Sequence, residues 1–506
     1  KNKYSSENLK NLRSTKKQSC SHSPSVRSQI LNALLKNIML SVIVDKKYFW
    51  SKVCCLEVYR RIDKYLPALS ARCHWSENRW LRKLIIGMTE TENKLIVKPF
   101  AAIRPVPDLA QELVAPPYDV INADEARVLA EGKPWSFLHI SKPEIDLDPE
   151  IDPYSPEVYE KGRSNFNHMI EQKVLRRDKK KCFYVYQLKM NSHIQTGIVG
   201  AASIMSYLQN IVRRHEYTRP NKETDRVRQI DAVNAQTGPV FTTHKNSKLI
   251  QVVIDRVVKG AADYNVIGDG NVEHTLWLVD DDADIIEITR AFEELGVIYI
   301  ADGHHRSAAA ARVAEERNSK MLNPTGDEAH DFFLIVSFPE AEVNILDYNR
   351  IVKDLNGYST TEFLKKISEI CDLIPCDEAP KPTSSGNYAM YIDGKWYSFA
   401  LSIEKTDENS IVDYLDVNIL STKLLSPLLN IDDPRTDPRI DFVGGIRGMA
   451  ELEKRVDTGG WKVAFAIFPP TVAELMAVAD AGEVMPPKST WFEPKLADGM
   501  VSLLME

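Results

Sequence analysis

The segment VIYIADGHHRSAAAARV, residues 297–313, sets the tightest limit on how this chain folds. Val297 to Ala301 is an apolar, β-favouring run, Asp302-Gly303 breaks it, and residues 304–317 are strong helix formers, so the spacing predicts a strand that turns directly into a helix. The small side chains of Ala308 to Ala311 let that helix approach a sheet closely. Helices laid against a sheet imply an α/β or mixed α+β body.

The flanking sequence repeats the alternation. NKLIVKPFAAIRPV predicts a strand entering a proline-rich loop, and Pro116-Pro117 stiffen the LVAPPYDVI turn by fixing φ. Residues 154–174 predict a helix, CFYVYQLKM and TGIVGAASIM strands, 221–234 a helix, and HTLWLVDDD a strand leading into a helix at 283–295. From about residue 350 a second α+β lobe is expected, with NYAMYIDGKWYSFAL as a hairpin turning at Asp393-Gly394 and WKVAFAIFPP as a further strand. The expected division is a basic extension at 1–87, a main body at 88–350 and a C-terminal lobe at 351–506.

Charge supports treating the extension separately. The 506 residues carry a formal −7, but residues 1–87 hold 18 Lys and Arg against 5 Asp and Glu, leaving 46 against 66, or −20, for the remainder. Four of the seven cysteines (Cys20, Cys54, Cys55, Cys73) also lie there. The extension shows neither helical nor strand periodicity and is expected to lie outside the native fold, as upstream translation before Met88 or as a basic, acid-poor leader; an accessory domain is the third reading. Its most apolar stretch, residues 30–44, falls short of the roughly 20 residues a membrane span needs and is interrupted by Lys36. No membrane helix is therefore expected. Cys182, Cys371 and Cys376 lack disulfide-framework or zinc spacing, which suits a reducing, cytoplasmic setting. The acidic body argues against a nucleic-acid partner, since non-specific affinity for phosphate backbones comes from Lys and Arg.

Two constellations carry chemistry. At the 302–306 turn, a glycine and a helix start leave backbone N–H groups unpaired at the positive end of the helix dipole, a place suited to phosphate. Gly303 permits the turn, Arg306 adds a planar cationic fork, and His304 and His305 add donors or proton transfer near neutral pH. Asp302 has two readings: a simple helix cap, or a group holding a histidine, a substrate ammonium or a phosphate-bridging Mg2+. The adjacent histidines have no third ligand nearby, so no protein-held metal is expected. The second constellation is RRHEYTRPNKETDRVRQIDAVNAQTGPVF, residues 213–241, which carries Arg213, Arg214, His215, Glu216, Lys222, Asp225, Arg226 and Arg228. Glu216 is the candidate base for a hydroxyl attacking a phosphate, while Arg213, Arg214, Lys222 and Arg226 would offset charge on the transferring group. The bland alternative for residues 222–228 is an exposed helix with i,i+3 ion pairs. FVGGIRGMAEL at 442–452 fits a tight turn better than a phosphate cradle, and MPPKSTWFEPK at 485–495 fits either a structured loop or a phosphate contact.

Together YIADGHHRSAAA, RRHEYTRPNKETDR, VAPPYDVI and MPPKSTWFEPK resemble domain-of-unknown-function family 1015, with the resemblance running from about residue 94 to the C terminus. Its DGHHR turn is similar to that of the ParB/sulfiredoxin superfamily, which includes free-serine kinases using ADP or ATP. The resemblance implies a ParB/sulfiredoxin-like core, with Gly303, His304, His305 and Arg306 facing nucleotide phosphates and Asp302 acting with them. His304 stands where sulfiredoxin has its cysteine, so sulfinic-acid reduction is not implied, and no DNA-binding helix-turn-helix is found between 318 and 350. The expected activity is Mg2+-assisted transfer of a phosphate from ATP or ADP to free L-serine or a similar small metabolite, with Glu216, Asp302 and His305 catalytic. The alternative is a non-catalytic nucleotide switch of ParB type, related to chromosome partition.

Overall fold

The computed structural model describes residues 95–404, 406 and 410–506; the expectations for residues 1–87 lie outside the described residues. The main sheet contains β1 (Val97–Lys98), β2 (Phe183–Met190), β3 (His193–Ser203), β4 (Val212–Arg213), β5 (Val240–His244), β6 (Tyr264–Ile267), β7 (Glu273–Val279), β8 (Ile298–Asp302) and β9 (Phe332–Pro339). Their order is β4-β8-β5-β9-β3-β2-β7-β6, with β1 added beside β3. The strand period of two sorts side chains onto opposite faces: Tyr184, Tyr186 and Leu188 join one core, Phe183 and Val185 the other.

Helices cover the second face. Lys248–Val257 (α3), Asp282–Leu295 (α4) and His304–Lys320 (α5) bury Ile250, Val253, Ile254, Ile288, Phe292, Ala310 and Ala314 against it. Pro156–Glu171 (α1) and Pro220–Val233 (α2) pack together outside the sheet, and α2 also lies along α5, where Ile230 meets Ala309 and Val313. The first face is closed by the end of the chain: Leu475, Met476 and Ala479 of helix Val472–Asp480 (α6), then Phe492, Leu496, Met500 and Val501, pack on its tyrosines.

A second sheet, β11-β13-β12-β15-β10-β14, is built from β10 (Tyr348–Val352), β11 (Ile374–Cys376), β12 (Asn387–Ile392), β13 (Lys395–Ala400), β14 (Ile440–Gly444) and β15 (Val463–Ile467). The predicted hairpin is β12–β13, with Asp393 and Gly394 at φ 45° and 73°, the left-handed pair a two-residue turn requires. Leu420, Leu424, Leu425 and Leu429 fill its core. The fold is thus mixed α/β, as the sequence predicts. The elements also fall where expected, except that Ile204 and Met205, placed at a strand end, begin the short helix Ile204–Leu208: the Ser203 side chain accepts the Ser206 N–H and caps it. Among the described residues no helix is long and apolar enough to cross a membrane.

One buried ion network ties the early chain to the sheet. Arg104, 2% exposed, donates to Asp178 at 2.8 Å and Asp263 at 2.9 Å, and Asp178 also accepts the Tyr184 hydroxyl at 2.7 Å. Removing the cation leaves two carboxylates facing each other in a poorly hydrated place, so Arg104→Ala is expected to cost about 3–5 kcal/mol in urea unfolding. An unchanged unfolding midpoint would show that the network contributes nothing to stability.

Candidate functional site

Strand direction decides which segments meet. β8 pairs in parallel with β4 (Ile298 beside Val212, Tyr299 beside Arg213), so the loop leaving β4 and the turn leaving β8 emerge side by side. β5 runs antiparallel to β8, and so Gly238 and Pro239, which enter β5, arrive at the same end. The crevice beyond the C-terminal ends of parallel strands is the usual ligand position in open α/β sheets. Two further segments close it. The Met485 amide bonds the His215 carbonyl at 2.8 Å, and Ala115 and Asp498 exchange backbone hydrogen bonds beside Tyr118.

Gly303 adopts φ 97° between β8 and α5. A side chain there would be strained by the left-handed backbone, and its Cβ would stand 3.3 Å from the Val240 Cα. The Gly303 N–H donates to its neighbour Asp302 Oδ1 at 2.8 Å, and the Lys495 ammonium holds Asp302 Oδ2 at 2.9 Å. Burial works to raise the Asp302 pKa, but Lys495, Arg306 and His304 together hold it well below the usual carboxylate range. Arg306 and Ser307 donate to the Gly303 carbonyl, whereas the amides of His304 and His305 find no acceptor among the described residues. Those two N–H groups are left uncommitted at the helix start, as the strand–turn–helix spacing predicts.

The two histidines part company. His304 is 4% exposed, with its ring edge-on to that of His215 at 4.5 Å and its Nδ1 3.6 Å from Glu216 Oε2. Burial drives His304 well below its ordinary pKa and His215 down to about 4, so both rings are neutral at pH 7. His305 Nε2 accepts the Arg219 N–H at 2.9 Å, fastening the start of α2 to the turn, and burial lowers its pKa as well. Glu216 moves the other way. Its side chain is 49% exposed, but the protein packed around it, then the charge of Asp302, raises its pKa, while Lys488 and Arg219 oppose that shift.

Arg306 is held from several sides. It donates to the Pro239 carbonyl at 2.8 Å, reaches Asp119 at 3.6 Å and lies 5.2 Å from the Tyr118 ring centre. Arg226 covers the same ring at 3.8 Å and is paired with Asp225, which also accepts the Tyr159 hydroxyl. Beside them Asp498 is 2% exposed, and one of its oxygens has no partner; burial raises its pKa to about 6 against the pull of Arg306. Gly238 makes room for this crowding, since a Cβ there would lie 2.7 Å from Asp498 Oδ1 and 3.1 Å from Arg306 Cζ.

Of the predicted residues, then, Asp302, Gly303, His304, His305, Arg306, Glu216 and Arg226 gather around one crevice. Three others are engaged elsewhere: Arg213 pairs with Asp480, Arg214 donates to the Tyr207 hydroxyl at 3.3 Å, and Lys222 donates to the Tyr154 hydroxyl at 3.0 Å. Sequence reasoning missed Tyr118, Asp119, Gly238, Lys495 and Asp498. The PPYD and PPKSTWFEPK motifs were the available signal, but Lys495 and Asp302 are 193 residues apart, and no local pattern links them.

The structure is similar to a conserved hypothetical protein from Pyrococcus furiosus (12% identity, 60% of this chain and 93% of that one, TM-score 0.29). It is also similar to a free serine kinase in complex with AMP (12%, 58% and 86%, TM-score 0.29) and to C-terminally truncated SbnI from Staphylococcus aureus (12%, 60% and 87%, TM-score 0.31). No curated protein matches the chain. The family profile described as "Protein of unknown function (DUF1015)" matches residues 97–418, stopping short of the C-terminal segment that supplies Lys495 and Asp498. On that match the chain belongs to the DUF1015 family.

Proposed function

We propose that this protein is a phosphotransferase that moves the terminal phosphate of ATP or ADP to the hydroxyl of free L-serine or a similar small metabolite. The observation that carries the reading is the juxtaposition of a carboxylate of raised pKa, Glu216, with a helix start whose His304 and His305 amides are uncommitted. A general base works best when its pKa approaches the operating pH, and partial desolvation with the nearby Asp302 charge moves Glu216 in that direction. The amides and Arg306 would bind the phosphates. The acceptor hydroxyl oxygen forms a bond to the terminal phosphorus, the bond from that phosphorus to the bridging oxygen of the leaving nucleotide breaks, and the hydroxyl proton passes to Glu216. Neutral His304 supports the carboxylate without neutralising it, and Asp302 keeps the Lys495 ammonium beside the turn.

Both Asp302 oxygens accept hydrogen bonds, from the Gly303 N–H and from Lys495, and the described residues contain no group of three or more His, Cys, Asp or Glu able to hold a metal. The ion accompanying a nucleotide would be bound by phosphate oxygens and water. No step above passes through it.

The test is a screen of hydroxyl-bearing metabolites, L-serine among them, with ATP and ADP and mass-spectrometric detection of phosphorylated products. A nucleotide-dependent product is expected; tight nucleotide binding by calorimetry with no product would favour the non-catalytic switch. Glu216→Gln is expected to lower kcat by about 100-fold or more with an unchanged melting profile. Because Glu216 must be ionised to accept a proton, activity should fall as pH drops, along a limb centred above the ordinary glutamate value of 4.5. Lys488 favours the ionised form, so Lys488→Ala should move that limb to higher pH. A limb that stays put would remove Glu216 from the role of base.

A further inference from the structure

Lys495 belongs to the C-terminal segment yet reaches the turn that follows β8. Its ammonium donates to Asp302 Oδ2 at 2.9 Å, and Asp302 passes the restraint on, since its Oδ1 accepts the Gly303 N–H at 2.8 Å. Gly303 is the residue at φ 97° on which the chain swings into α5. Three carboxylates face the ammonium: Asp302 at the end of β8, Glu493 two residues away in sequence, and Asp119 beside Tyr118. Burial works to lower the lysine pKa, but these charges together raise it, so the cation persists at neutral pH.

The second lobe bounds the place where this lysine stands. Trp491 and Phe492 pair antiparallel with Leu346 and Ile345, just ahead of β10. The Trp491 ring centre lies 5.0 Å from Lys495 Nζ, and its Nε1–H is donated to Glu493 at 2.8 Å. Tyr348 of β10 meets that ring edge-on at 5.3 Å. Gly444, the last residue of β14, presses on it as well: a Cβ there would lie 2.9 Å from Trp491 Cε3 and 3.0 Å from its Cδ2. An indole fixed by backbone pairing, ring packing and a hydrogen bond has little freedom to shift, and it forms one wall beside the ammonium. Gly444, Trp491, Lys495, Asp302 and Gly303 are thus a continuous series of neighbours running from the second lobe to the turn.

We propose that Lys495 is a positioning residue of the candidate site: acting through Asp302, its ammonium holds the Gly303 turn in the conformation that leaves the His304 and His305 amides uncommitted, and the second lobe keeps it there through Trp491. The bond it makes is charge-assisted, the stronger class of hydrogen bond. Its effect on turnover rests on the phosphotransfer reading. Its hold on the turn does not, and is measured without nucleotide.

Hydrogen–deuterium exchange of the full chain, read by mass spectrometry on the peptide covering residues 298–308, tests it. That peptide contains the amides of Gly303, Arg306 and Ser307, which are bonded within the turn. Lys495→Gln is expected to speed their exchange by about tenfold or more while distant peptides exchange as before, and Lys495→Arg, which keeps the cation, should restore most of the protection. Because the lysine acts through Asp302, Lys495→Gln should add nothing in an Asp302→Asn background. Gly444→Ala crowds Trp491 from the second lobe without changing a charge and should also speed exchange of the turn. Exchange unaltered in Lys495→Gln, or raised as much in the Asp302→Asn background, overturns the role of the lysine; exchange unaltered in Gly444→Ala overturns the part given to the lobe. Should Lys495→Gln fail to fold, Gly444→Ala with and without Asp302→Asn runs the same comparison. Where a phosphorylated product forms, Lys495→Gln should lower kcat about tenfold, and an unchanged kcat would remove the lysine from turnover. Altered exchange with no product from any metabolite would end the phosphotransfer reading and leave the hold on the turn standing.

Discussion

The parallel pairing of β4 with β8 is the constraint on which the rest of the candidate site depends. Because the two strands point the same way, the carboxylate that follows one and the glycine turn that follows the other leave the sheet at the same end. An antiparallel pairing would send Glu216 and Gly303 to opposite ends. Helix α5 then anchors the turn from behind, since its alanines bury flush against the sheet and leave the helix start facing outward.

Charge is crowded in this crevice, from buried Asp498 to half-exposed Asp119 and Glu216. Two arginines share the ring of Tyr118, with Asp225, Asp119 and Asp498 distributed around them, and one oxygen of Asp498 has no partner. Buried ion pairs rarely add net stability, because desolvation offsets most of their attraction. Such groups are characteristic of functional sites, where local consistency is given up for chemistry. The neutral His215–His304 pair belongs to the same economy, supplying shape and polarity beneath the turn without another buried charge.

The last part of the chain does double duty. Residues after α6 cover one face of the main sheet with Phe492, Leu496, Met500 and Val501, and the same stretch delivers Lys488, Lys495 and Asp498 to the crevice. A segment that packs as core on one side and presents charge on the other is held in register by its apolar residues. The charged groups therefore arrive pre-positioned.

Local pattern was enough to locate the strand–glycine–helix turn, the helix at 220–233, the hairpin at Asp393-Gly394 and the mixed α/β class, because each follows from side-chain period, backbone freedom at glycine and helix propensity over a short window. It also singled out Asp302 through Arg306 and Glu216 by their chemistry. What it could not contain was adjacency between distant segments. That Arg213, Arg214 and Lys222 turn to Asp480, Tyr207 and Tyr154, while Tyr118, Asp119, Lys495 and Asp498 come to the crevice, follows from strand order and from the path of the C-terminal segment. Those are properties of long-range packing: partners nearly 200 residues apart meet because burying apolar surface on both faces of one sheet leaves the chain few other routes.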